Sequence, residues 1–226
     1  MAQLTYLITE ICAALEIYCS GRTGGQYLKT AFILCDDYTE LTSKLFLLKD
    51  NPQWSDKKSE HRFKNYHDIQ VGVRAVFEAK RAGELARVEG LLAAMKARRE
   101  RRNDFFHSTH LLDLTVNQRQ CVEAFCDLMD YGSLLFGPDW DSEVSSRDHL
   151  ETLRTFLQLE QRSFCDPTIM PRVNNILGNW PRREKDKTVS KKGTQFAVHP
   201  EDLHLRMCVI WGGRELCEKL KALLQP

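Results

Sequence analysis

Apolar residues recur at helical spacing through most of this chain, and this pattern limits the fold more than any other feature. The clearest case is the run from Gln26 to Lys49, which stops before Asn51 and Pro52. Its apolar stripe contains Leu28, Phe32, Leu41, Leu45 and Leu48. Such spacing is typical of an amphipathic helix that packs against a core. The sequence therefore predicts an all-α protein.

Similar runs predict helices on both sides of this one. The predicted helices are Leu4 to Tyr18, Asp68 to Met95 with a break near Gly83, Val116 to Leu135, Arg147 to Gln161, Ile169 to Leu177, and one or two between Pro200 and Leu224. Residues Trp54 to Tyr66 have no clear period, so we interpret them as a loop or a short helix.

The segment from Gly137 to Ser146 is rich in turn-forming residues and acidic, which is typical of a linker. We therefore predict a helical bundle at residues 1–137 and a C-terminal, mainly helical module at 147–226. The module contains a basic loop, Trp180 to Gly193. Such a loop is usually only a solvated segment. It also offers Arg182, Arg183 and Lys185 as contacts for RNA or for a protein partner.

Composition places the chain among soluble globular proteins, because 42% of its residues are hydrophobic and 28% are charged. The net charge of +1 does not identify a partner.

Glu10 and Glu16 interrupt the apolar run at the N-terminus, so we predict neither a signal peptide nor a membrane span there. The eight cysteines include no Cys-x-x-Cys pair. They predict buried, reduced thiols in a cytoplasmic protein.

The residues with the clearest chemistry lie between Ala97 and Leu114, where Arg102, Asn103 and His107 form an Arg-Asn-x-x-x-His motif. Arginine offers a rigid fork of donors to phosphate oxygens. Histidine can exchange a proton near neutral pH, and asparagine can donate to an oxyanion or to a ribose hydroxyl. Together, the three residue types could bind a phosphodiester and exchange protons with it without a metal ion.

The spacing of the motif limits how its side chains can meet. On a straight helix Asn103 and His107 share a face, whereas Arg102 and His107 diverge by roughly 140°. Convergence of all three needs a helix start or kink near Arg102, or a second copy of the motif across a two-fold axis. The second option predicts a homodimer.

A basic run leads directly into the motif, with only Glu100 against its cations. In one interpretation it is a solvated helix end, where the helix dipole favours positive charge. In the other it is a cationic approach for RNA. Because of its position we predict RNA contacts for Arg98, Arg99 and Arg101.

The Arg-Asn-x-x-x-His signature resembles that of the HEPN superfamily, with the motif near the start of a helix that follows a long amphipathic one. Members are helical bundles, and many are ribonucleases of toxin–antitoxin and antiviral systems. The resemblance implies that Arg102 holds the scissile phosphate, that His107 is the acid and base, and that Asn103 is a supporting donor. It also implies a dimer with two facing motifs. Residues Leu28 to Leu48 resemble the first long helix of such domains, with Asp36, Asp37 and Glu40 as its polar face.

These observations predict a metal-independent endoribonuclease that leaves 2′,3′-cyclic phosphate and 5′-OH ends. No cofactor and no metal are expected, because His61, His67 and His110 lack further ligands at metal spacing. The resemblance suggests a toxin or antiviral effector, and it allows an antitoxin or regulatory protein as partner. The alternative is a non-catalytic helical subunit that binds RNA or a nucleotide within a larger complex. A third interpretation is that the motif occurs by chance in an unrelated helical protein.

Overall fold

The computed structural model describes residues 2–20, 25–59, 62–107, 116–180 and 213–225. Over these residues the chain forms nine α-helices and one two-stranded hairpin, which confirms the all-α prediction. The helices are α1 Ala2–Ser20, α2 Gly25–Asp50, α3 Tyr66–Lys80, α4 Leu85–His107, α5 Gln118–Phe136, α6 Pro138–Ser145, α7 Asp148–Ser163, α8 Ile169–Gly178 and α9 Gly213–Lys221. The strands are β1 Lys57–Ser59 and β2 Arg62–Phe63.

Helix α2 is central to the bundle, because it packs against α1 and α5 and also contacts α3 and α4. Leu28 and Phe32 are buried as predicted, but Leu41 is 46% exposed, so the predicted stripe is wrong at that position. The buried face instead includes Thr39, Thr42 and Ser43. Each of these hydroxyls donates to the carbonyl oxygen four residues earlier. Hydroxyls satisfied in this way can be buried, and an apolar pattern does not reveal them.

The segment predicted as a loop or short helix contains the antiparallel pair of β1 and β2. Periodicity gave no sign of it, because both strands are exposed and mostly charged. A capping box then starts α3. Asn65 accepts from the backbone N–H of Asp68, and the Asp68 carboxylate accepts from that of Asn65. This reciprocal pair satisfies two donors at the helix start.

The predicted break near Gly83 is confirmed, since α3 ends at Lys80 and a 3₁₀ turn, Ala82–Glu84, precedes α4. Helix α4 then continues without interruption through Arg102 to His107. The expectation that the motif lies near the start of a helix is therefore wrong. The motif lies in the last two turns of α4 as the structure describes it, and no breaker residue separates it from Gly90.

The predicted linker is also not a linker in the structure, because Pro138–Ser145 form α6. Trp140 of this helix is fully buried and lies on the backbone of α5 at Gly132. Proline at the first helical position and acidic residues in the first turn favour the helix start. The described helices before and after α6 share one hydrophobic core, which extends from Leu4 to Leu220.

Free thiols are mostly buried, as predicted, with Cys165 the exposed exception among those described. Burial raises the pKa of Cys12 to about 11 and that of Cys121 to about 12. The side chain of Cys19 and the whole of Cys208 lie outside the described residues.

None of the described helices combines the length and the apolar character that a membrane crossing requires.

Candidate functional site

The Arg-Asn-x-x-x-His motif lies where the end of α4 passes the polar face of α2. Arg102 Nη2 donates to Asp37 Oδ1 at 2.8 Å, and Arg102 Nε lies 3.7 Å from Asp36 Oδ2. A longer contact of 3.5 Å joins Arg102 Nη1 to the Asn103 side-chain oxygen. The guanidinium of Arg102 therefore contacts both carboxylates of α2 and the side-chain oxygen of its neighbour in the motif.

Arg99, one turn earlier on α4, extends the same cluster. Its Nη1 donates to Asp36 Oδ2 at 3.2 Å, and its Nη2 lies 2.7 Å from Glu40 Oε2. The guanidinium also lies over the ring of Tyr66, 4.3 Å from the ring centroid. Asp36 is therefore shared by two arginines, and both are anchored to α2.

Burial dominates the electrostatics of Asp36, whose side chain is only 3% exposed. Loss of solvation raises its pKa to about 6, although Arg99 and Arg102 both act to lower it. The neighbouring charges of Asp37 and Glu40 add to the increase. The two arginines therefore do not fully compensate for placing this carboxylate in the core.

The arginines of the basic run differ in how far their side chains are exposed to solvent. Arg98 Nη1 lies 2.7 Å from Asp127 Oδ2 of α5, and the Arg98 side chain is 18% exposed. Arg99 is 20% exposed, whereas Arg101 is exposed. Arg98 and Arg99 thus join α4 to its neighbouring helices. RNA binding by Arg98, Arg99 and Arg101 stays a prediction.

The structure describes only some of the other predicted site residues. His107 is the last residue of α4, and its side chain lies outside the described part of the chain. His110, Arg182, Arg183 and Lys185 lie entirely outside it. Within the motif, Phe105 is buried, its ring centroid 6.1 Å from that of Phe32.

The sequence predicted the acidic face of α2 but not its partners. The four-residue spacing of Asp36 and Glu40 and the three-residue spacing of Arg99 and Arg102 are complementary helical patterns, which is the one available signal for the pairing. The roles of Tyr66 and Asp127 had no such signal, because each depends on the packing of a distant helix.

Among the described residues no group of three His, Cys, Asp or Glu side chains is arranged to hold a metal ion. Comparison of the chain with protein-family models, with curated proteins and with solved structures found no match.

Proposed function

We propose that this chain is a metal-independent endoribonuclease of HEPN type that acts as a homodimer. The observation that carries the proposal is the placement of Arg102. Asp36 and Asp37 hold its guanidinium beside Asn103 at the end of α4. His107 follows on the same continuous helix. The three residues of the motif thus lie within the last two turns of α4 as the structure describes it.

The cluster also suggests how a phosphate would reach Arg102. The Asp37 side chain is 42% exposed, whereas that of Asp36 is 3% exposed. In the proposed complex, an RNA phosphate replaces Asp37 on the guanidinium, and Asp36 remains behind it. A guanidinium oriented in advance loses little conformational entropy when it binds a phosphate.

The continuity of α4 supports the dimer. Because α4 begins at Leu85, a helix start near Arg102 does not bring the three side chains together. Side chains five residues apart on a helix diverge by roughly 140°. A second copy related by a two-fold axis would bring the imidazole of one subunit towards the arginine of the other.

In the proposed reaction, neutral His107 accepts the proton of a ribose 2′-OH, and O2′ attacks the adjacent phosphorus. Arg102 stabilises the charge that develops on the phosphorane oxygens. The bond between phosphorus and O5′ then breaks, and O5′ leaves with a proton from a protonated imidazole. The products are a 2′,3′-cyclic phosphate and a 5′-OH end. DNA is inert because it lacks the attacking hydroxyl.

The direct test is incubation of the purified chain with end-labelled single-stranded RNA in excess EDTA. We expect the parent to cleave, and we expect His107→Ala and Arg102→Ala each to lose about a hundredfold or more in rate. Arg119→Ala is the matched control, because this arginine of α5 is 63% exposed and contacts Glu123 and the ring of Phe164, outside the motif. Cleavage of an all-deoxy substrate, or undiminished cleavage by His107→Ala, would contradict the mechanism.

One observation favours a second candidate, a non-catalytic RNA- or nucleotide-binding subunit. Arg98, Arg99 and Arg102 all contact carboxylates of other helices, so the basic run contributes to packing. Expression of the chain in cells separates the two functions. A nuclease of the toxin or antiviral type should arrest growth, and His107→Ala or a co-expressed antitoxin should relieve the arrest. A binding subunit should be harmless with or without His107.

A further inference from the structure

The hairpin of β1 and β2 presents an exposed aromatic ring among cations. Phe63, the last residue of β2, is 65% exposed. The segment from Lys57 to Lys64 contains four cations against one carboxylate, that of Glu60. In the strand register Lys57 is the partner of Phe63. Cross-strand partners project from the same face of a hairpin, so this cation and this ring are neighbours.

Two of the four cations hold the base of the hairpin. Lys64 Nζ lies 4.5 Å from the ring centroid of Trp54 and donates to the Ser55 carbonyl oxygen. Lys58 Nζ lies 2.6 Å from Asp68 Oδ2. The other two, Lys57 and Arg62, are exposed and form no ion pair with any residue that the structure describes.

The base of the hairpin adjoins the arginine cluster. Asp56 lies 3.6 Å from Lys44, which lies 2.9 Å from Glu40. Glu40 is the carboxylate that holds Arg99. Tyr66 follows Phe63 by three residues in the chain. The Arg99 guanidinium lies over the ring of Tyr66. The base of the hairpin is thus joined to Arg99 both through this chain of ion pairs and through Tyr66.

We propose that this hairpin is an arm that binds single-stranded RNA, with an unpaired base stacked on Phe63 and backbone phosphates at Lys57 and Arg62. The inference rests on the proposed function, because it extends the path of the RNA whose phosphate reaches Arg102. Aromatic rings that stack bases beside cations that follow the backbone are the usual elements of single-strand binding. The cations flanking Phe63 favour a polyanion over an apolar protein surface.

The test uses the full chain carrying His107→Ala, so that RNA is bound without being cut, and a short fluorescent RNA in EDTA. Phe63→Ala should weaken binding of single-stranded RNA by roughly fivefold to a hundredfold, as expected for the loss of one stacked base. Phe63→Trp should retain the affinity. Binding of duplex RNA should not change, because its bases are already stacked. Tyr6→Ala, which removes an equally exposed aromatic ring from α1, is the control.

The cations have a separate readout in the dependence of affinity on salt. Lys57→Gln and Arg62→Gln should each reduce the slope of the logarithm of affinity against the logarithm of salt concentration by about 0.7, the value for one phosphate contact on a single strand. Lys80→Gln is the matched control. It removes an exposed lysine at the end of α3 that pairs with Asp50.

The outcomes separate this inference from the proposed function. If the parent cleaves RNA and the hairpin variants bind RNA as tightly as the His107→Ala chain does, the arm is overturned while the nuclease stands, and a protein partner becomes the occupant of the Phe63 surface. If RNA binds through Phe63 but is never cleaved, the arm is supported and the nuclease is overturned. If the parent neither binds nor cleaves RNA, both are overturned.

Discussion

Asp36 connects the two arginines of the candidate site and is almost completely buried. Its pKa in the folded chain is about 6, against an ordinary value of 3.8. The folded state therefore holds an extra proton between these pH values, and the charged carboxylate is the less stable form in the core. The contribution of Asp36 to stability is consequently lost as the pH rises through this window, and it is constant above it.

This pH dependence can be measured with Asp36→Asn, which cannot titrate. From about pH 4 to about pH 7, the free energy of unfolding of Asp36→Asn relative to that of the parent should rise by up to roughly 3 kcal/mol. Urea unfolding at several pH values gives the difference directly.

Asp139→Asn is the control for that experiment. Lys49 lowers the pKa of this exposed carboxyl, so its effect on stability is complete above about pH 5. The difference between Asp139→Asn and the parent should be flat above that pH. A similarly flat difference for Asp36→Asn would show that burial does not penalise the Asp36 charge.

At the scale of elements, α6 depends on the absence of a side chain in α5. A Cβ atom added at Gly132 would lie 2.2 Å from a ring carbon of Trp140, which is fully buried and stacks on Phe136. The close contact between α5 and the indole explains why the turn-rich segment after Gly137 forms a packed helix. The small residue that permits this contact lies outside that segment.

Gly132→Ala should therefore destabilise the chain by about 1–3 kcal/mol, because the ring must move out of a tightly packed position. Gly90→Ala in α4 is the matched control. Nothing lies within 4 Å of a Cβ atom there, so the gain in helix propensity should stabilise the chain by up to about 1 kcal/mol. Urea unfolding followed by tryptophan fluorescence measures both variants. Stabilisation of both would mean that Trp140 does not require Gly132.

At the scale of the whole molecule, the proposed reaction requires two copies of the chain. We expect a dimer by light scattering at micromolar concentration. Co-expressed, differently tagged Arg102→Ala and His107→Ala subunits should recover part of the parental ribonuclease rate, although each variant alone is inactive. Recovery is expected because a mixed dimer retains one intact arginine and one intact histidine. A strict monomer that cleaves RNA would contradict this arrangement.

The sequence by itself determined the helical class of the molecule and most of its helices. The break near Gly83, the helix before Asn51 and the two helices that follow Arg147 all agree with the structure to within a few residues. The reason is that amphipathic spacing and breaker residues act over three or four positions, within the reach of a local pattern. The candidate motif was likewise found from its local spacing.

Only the tertiary structure decided which faces are buried and which charges meet. Leu41 is exposed while Ser43 is buried, and Ser43 is paired with the Tyr131 hydroxyl at 2.8 Å. Arg102 meets Asp37, 65 positions away in the chain. Which side chains are buried and which charges pair depends on contacts between segments that are distant in the chain. Such contacts form only when the helices pack against one another. For this reason the sequence identified Arg102 as a candidate, and the packed helices determined what holds it.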